Sequence, residues 1–206
     1  MAFDTYSDLK TSIANYLARS DLTTQIPDFI KFAENRLRRE LRIRQMLSAT
    51  TITATAGTVT VTIPSDFLEA RDFVVNGNPV QPLNYVSPAL YSRNSRGDVS
   101  GKPLDYTVLS NVFKLAPNPD SAYTLTLTYY AAPAYLSDSN TSNTFLTVCP
   151  DLLLYAALVE AEPFLMNDAR INTWGTMFDR SLASLIKSDQ EGQYSGVPLV
   201  MRVSQG

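Results

Sequence analysis

The 206-residue chain contains no histidine. This removes every catalytic triad built on an imidazole base and every metal site that uses imidazole ligands. Its single cysteine, Cys149, can form neither a Cys-rich zinc site nor an internal disulfide. Followed by Pro150 at an expected helix start, it reads as a small buried residue rather than a reactive one. The glycines are scattered singly and none precedes a Lys-Ser/Thr pair, so there is no phosphate-cradling loop. Nowhere do about 18 apolar residues run together, so no membrane span is expected and the chain reads as soluble. The start, Met1-Ala2-Phe3-Asp4-Thr5, lacks a basic segment followed by an apolar run, so no secretory signal is expected and an intracellular origin is. A net charge of -3 offers no bulk attraction to nucleic acid, and DNA contact would need a local basic patch. Asp66, Glu69 and Asp72 come nearest to a carboxylate cluster. Paired-carboxylate chemistry needs two groups held across a cleft, one with a raised pKa, and these three fall in an expected polar link between strands. Neither enzymatic activity nor a cofactor is expected.

What is present is ordinary globular composition, 45% apolar and 18% charged, written with two periodicities. Residues 4–46 carry the helical period. Asp4 or Thr5 can cap a first helix with Tyr6, Leu9, Ile13, Tyr16 and Leu17 on one face and an end near Ser20. Pro27 and Asp28 suit the first turn of a second helix, whose stripe is Ile26, Ile30, Ala33, Leu37 and Leu41. From residue 47 the period becomes two. Ile52, Ala54, Ala56, Val59, Val61 and Ile63 alternate with threonines, which suggests a hairpin across Ala56-Gly57. Phe73-Val74-Val75 runs into Asn76-Gly77, which suits a type I′ turn. Residues 84–102 suggest a short helix around Pro88 and Tyr91 plus an exposed loop. Further strands are expected at 106–109 and 112–115 with a turn at Ser110-Asn111. The longest has Tyr123, Leu125, Leu127 and Tyr129 on one side and Thr124, Thr126 and Thr128 on the other. About six antiparallel strands would make a small sandwich or barrel.

Helical period returns in Leu154, Ala157, Leu158, Ala161 and Leu165, where Pro163 should kink or shorten the helix, and again in Ile171, Trp174, Phe178 and Leu185. Tyr129, Tyr130 and Trp174 are expected to fill core space. Residues 188–206 show no periodicity and end in the apolar patch Val197-Pro198-Leu199-Val200-Met201, read as an extended tail. The expected class is α+β: a four-helix unit made by the N- and C-terminal helix pairs (residues 1–46 and 147–188), an inserted antiparallel β module (47–146) and a C-terminal tail (189–206).

The one charge feature is the second helix. Lys31, Arg38, Arg39 and Arg42 gather opposite its apolar stripe, with Glu34 to Arg38 and Glu40 to Arg44 spaced as i, i+4 pairs. Three readings stay open: a solvated face, salt bridges to a neighbouring acidic subunit, or a DNA contact that would make the chain a nucleic-acid-binding module. Because Arg38 and Arg42 lie off the apolar stripe, reversing their charge is expected to leave folding intact.

The order Lys102-Pro103-Leu104-Asp105-Tyr106, Pro117-Asn118-Pro119-Asp120, the strict alternation of residues 123–130, and Pro150-Asp151-Leu152-Leu153-Leu154-Tyr155 resembles the head-to-tail adaptor (connector) proteins of short-tailed bacteriophages. The likeness runs through nearly the whole chain. It implies a virion structural protein made in the host cytoplasm, forming a ring, usually of twelve copies, that docks beneath the portal protein and meets tail or nozzle proteins, with DNA passing through its channel and no membrane partner. Carried over by position, it makes Tyr194, Val197, Leu199, Val200, Met201 and Val203 the portal-docking segment. Tail-facing contacts would fall on the loops with Asn76, Gly77 and Asn78 and with Arg93 and Arg96.

Overall fold

Reciprocal capping opens the first helix. The Thr5 hydroxyl accepts from the Asp8 N–H at 3.2 Å, and the Asp8 carboxylate accepts from the Thr5 N–H at 3.1 Å. The computed structural model describes residues 4–94, 99–165 and 170–193. In chain order the elements are α1 (Tyr6–Leu17), α2 (Ile26–Glu40), β1 (Leu47–Ala54), β2 (Thr60–Thr62), β3 (Phe67–Val75), β4 (Gln81–Pro82), β5 (Asn84–Tyr85), α3 (Pro88–Asn94), β6 (Ser100–Gly101), β7 (Asp105–Leu109), β8 (Val112–Ala116), β9 (Asn118–Pro119), β10 (Tyr123–Ala131), α4 (Thr144–Val148), α5 (Pro150–Leu165) and α6 (Ile171–Gln193). The class is α+β, and the chain divides into two units, Met1–Gln45 with Pro133–Gly206, and Met46–Ala132.

In the helical unit, α5 packs against α1, α2, α4 and α6. It can do so because it is apolar on nearly every side: Leu152, Leu153, Leu154, Ala156, Ala157, Leu158 and Ala161 are all buried. Pro163 sits in its last turn, where it forfeits the bond to the Val159 carbonyl, and α5 ends two residues later at half-buried Leu165. On α2, Ile26, Ile30, Ala33 and Leu37 are buried as expected, with Leu41 just beyond the helix. On α1, Tyr6, Leu9, Ile13 and Leu17 are buried while Tyr16 is exposed, and Ala18 in the left-handed conformation at φ 54° stops the helix before Ser20. Trp174 and Phe178 of α6 are buried, Leu185 only half so, and this helix runs beyond residue 188 to Gln193. The short α4, which the sequence did not suggest, is capped by Asn143 and ends at Cys149. That thiol is buried, and burial, with Asp151 nearby, pushes it up to about 12, so the thiolate needed for reactivity is suppressed.

The β unit departs from the expected pairings. The two four-stranded sheets run β1-β10-β3-β4 and β2-β8-β7-β5, with β6-β9 as a separate pair. The hairpin expected across Ala56-Gly57 does not form. β1 pairs instead with β10 over Leu47↔Tyr130 to Ala54↔Tyr123, and β2 joins the other sheet against β8. Residues 55–59 cross between the sheets, and Gly57 takes φ 75° there. Alternation marked both strands but not their partners; a continuous eight-residue ladder with β10 offers β1 more cross-strand pairs than three-residue β2 could. Nor is Asn76-Gly77 a type I′ turn: β3 and β4 do pair, but through the longer connection 76–80, and Gly77 has no positive φ. The Ser110-Asn111 turn forms as expected between β7 and β8, with Ser110 at φ 57°. Among the described residues ten strands stand where six or so were expected, and β5-β7 and β6-β9 are parallel.

Side chains from both four-stranded sheets share one core: Phe73, Val75, Leu125, Leu127 and Tyr129 from one, Val61, Tyr106, Phe113 and Leu115 from the other. This is a sandwich. At its centre the fully buried Phe113 ring lies 5.0 Å from Phe73, 5.4 Å from Phe67 and 5.9 Å from Tyr106 between ring centroids. Phe113→Ala would leave a cavity among these rings and should cost about 3–5 kcal/mol. Urea unfolding should show it as a lowered midpoint.

Candidate functional site

Lys31, Glu34, Asn35 and Arg38 recur on one face of α2 because residues three and four apart lie over one another on a helix. The chain segment that returns to the helical unit, residues 133–143, lies along this face. Arg38 donates to the Pro133 carbonyl, and its guanidinium carbon sits 3.4 Å from the Tyr135 ring centroid. Lys31 Nζ lies 5.7 Å from the same ring, and the Tyr135 hydroxyl donates to Asn35. Glu34 accepts from the Leu136 N–H at 3.1 Å and from Asn143 Nδ2 at 2.6 Å. The far end of the segment is tied to α1, through Lys10 to Asp138 at 2.8 Å and the Tyr6 N–H to the Thr141 carbonyl at 2.7 Å.

Glu34 is only 1% exposed. Burial pushes its carboxyl above the ordinary value, against the downward pull of its two hydrogen bonds and of Arg38 and Lys31. The sequence did signal this position: Glu34 falls four residues after Ile30 and three before Leu37, on the core face. What the pattern does not carry is the partner, because Leu136 and Asn143 lie about a hundred residues away.

The expected basic stripe is therefore taken apart. Lys31 and Arg38 face Tyr135. Arg42 lies beyond the end of α2, and its guanidinium donates to the Arg38 carbonyl at 2.9 Å and the Leu41 carbonyl at 2.6 Å, closing the helix C-terminus. Arg39 is exposed. The Glu40 to Arg44 helical pair does not form, because Arg44 stands in a short 3₁₀ turn, Arg44–Met46, and pairs with Asp189 at 3.0 Å. Glu40 receives Arg36 at 3.1 Å instead, and Arg36 also reaches Glu160 at 3.7 Å and lies over the Phe178 ring. Charge reversal at Arg38 and Arg42, expected to leave folding intact, would break these contacts, which hold the return segment and cap α2. With both side chains so engaged, the phosphate-contact reading loses half of its basic stripe.

In the β unit, Asn76, Gly77 and Asn78 are exposed, and Asn76 Oδ1 accepts from the Thr126 hydroxyl at 2.9 Å. Arg93 belongs to α3. Arg96 and Tyr194, Val197, Leu199, Val200, Met201 and Val203 lie outside the described residues. Glu69 and Asp72 belong to β3 rather than to a link between strands, and Asp66 accepts from the Tyr129 hydroxyl at 3.0 Å. Among the described residues no cluster of three or more His, Cys, Asp or Glu side chains could hold a metal ion, and no helix is long and apolar enough to cross a membrane.

Two substitutions at Glu34 separate its charge from its hydrogen bonds. Glu34→Ala strands two donors and should cost about 1–3 kcal/mol. Glu34→Gln keeps an acceptor and removes a charge whose burial is unfavourable, so at pH 7 it should match or exceed the parent chain. A carboxyl whose folded-state pKa is raised gains stability as pH falls through that value. The advantage of Gln should therefore shrink between pH 7 and pH 5, as read from urea midpoints at the two pH values.

No curated protein matches the chain. A family model described as SU10 adaptor protein matches residues 4–202, thus spanning both the helical and the β units. The chain belongs to the SU10 adaptor protein family, whose members are structural adaptors of bacteriophages.

Proposed function

We propose that the protein is a head-to-tail adaptor of a short-tailed phage, one subunit of a ring of about twelve copies that docks beneath the portal protein and joins it to tail or nozzle proteins, leaving a channel for DNA. The observation that carries this reading is the family match across residues 4–202. Its role is structural and its place is the virion, at the junction through which the genome is ejected. The loop with Asn76, Gly77 and Asn78, together with Arg93 of α3 and Arg96, makes its tail-facing contacts. Of the α2 basic stripe, Lys31 and Arg39 are exposed and placed to meet a neighbouring subunit or the DNA.

Portal docking is assigned to Tyr194, Val197, Leu199, Val200, Met201 and Val203. The thirteen residues that follow Gln193 could reach up to about 45 Å when extended, far enough to lie on another protein. Ordering them costs on the order of 1–2 kcal/mol per residue in backbone entropy, which a few apolar side chains offset only in part. Pairing with a partner's strand edge, together with the avidity of a ring, supplies the rest.

The test is to end the chain after Gln193 and measure thermal unfolding and capture by the purified portal. Ending it after Ser188 would confuse the two, since Asp189 would be lost with the tail. The midpoint should hold within a degree or two while capture is lost; undiminished capture would place docking elsewhere.

A further inference from the structure

Gly192 occupies the last turn of α6, where alanine is the better helix former. Its surroundings account for it: a Cβ added there would overlap the Arg44 guanidinium. The guanidinium is held in that place by Asp189. One carboxylate oxygen, Oδ1, accepts from both the main-chain N–H and the Nε of Arg44, each at 3.0 Å, and Oδ2 accepts from Gln193 Nε2 at 3.3 Å. Burial raises the Asp189 carboxyl, but these hydrogen bonds outweigh it and leave the group below its ordinary value. It is ionised at neutral pH and fully engaged.

The rest of this helix end has little else to hold it. Past Phe178, Asp189 is the one buried residue of α6; Lys187, Ser188, Gln190, Glu191 and Gln193 are exposed, and Ile186 is 39% exposed. No apolar side chain after Leu185 anchors the last two turns. A buried, three-way hydrogen-bonded carboxylate that reaches across the sequence to residue 44 does.

We propose that Arg44, Asp189 and Gly192 form a lock that fixes the end of α6 onto the short segment between α2 and β1, and so presents residues 194–206 from a rigid root. This deepens, and rests on, the reading of those residues as the docking segment. A rigid root matters for docking because a tail that starts from a fixed point searches a smaller volume and loses less entropy when it binds.

The experiment is hydrogen exchange, followed by mass spectrometry, on the full chain and on Gly192→Ala, Arg44→Gln and the double variant. Alanine is the better helix former, so with no guanidinium in the way Gly192→Ala should slow exchange at 189–193. With the lock present, it should instead speed exchange there by tenfold or more while the global urea midpoint stays put. In the Arg44→Gln background the same substitution should slow exchange. That reversal of sign is the expected result; slower exchange in both backgrounds, or faster exchange in both, overturns the lock. Capture by the portal is measured in parallel. Arg44→Gln should weaken it about tenfold without abolishing it, and undiminished capture by Arg44→Gln would overturn the positioning role. Full capture by a chain ending at Gln193 would remove the docking reading while the exchange reversal still stood.

Discussion

A carboxylate out of water must be met by donors, and Glu34 is met by a segment a hundred residues downstream. That requirement organises the helical unit. The chain leaves this unit after α2 and re-enters it at residue 133, so the two halves of the unit share no local sequence. Closing them together is opposed by the entropy of a long loop. Apolar packing of α5 against α1 and α2 supplies most of the opposing free energy, but packing alone is indifferent to small slips along a helix. The bonds from Leu136 and Asn143 to Glu34, with Arg38 and Asn35 on Tyr135, are directional and fix the register at which the returning chain lies on α2.

The same economy explains the fate of the arginines. A helix with Lys31, Arg36, Arg38 and Arg39 invites an intermolecular reading, because exposed charge at regular spacing usually meets solvent or a partner. In the folded unit the guanidinium groups find aromatic faces and main-chain carbonyls within the unit itself: Tyr135 for Arg38, Phe178 for Arg36, the helix end for Arg42. Arginine suits these positions because its planar, weakly hydrated head stacks as well as it donates. Cross-links of this kind stiffen a small helical unit.

In the β unit, shared burial substitutes for long strands. Several strands are only two or three residues long, too short to hold a sheet by hydrogen bonds alone, yet Phe113 gathers the Phe67 and Phe73 rings of β3 and the Tyr106 ring of β7 into one cluster. Aromatic side chains do this well, since each buries a large area in few degrees of freedom. The threonines that alternate with the core residues of β10 face the other way, which leaves the outer surface polar without adding charge.

What the sequence by itself determined was local: the periods of α1, α2, α5 and α6, the cap at Thr5, the first-turn proline Pro27, the two faces of β10, the Ser110-Asn111 turn and the absence of imidazole chemistry. These follow from side-chain spacing and backbone preference within a few residues, and they sufficed for the α+β class and for a family resemblance. Tertiary structure alone decided the partner of β1, the course of residues 76–80, the partners of Glu34 and the pairing of Arg44 with Asp189. Each depends on two segments meeting across many tens of residues. Alternation tells a strand which side is wet, not which neighbour it will find, and a charge on a helix says nothing of the ring or carbonyl that long-range packing will bring to it.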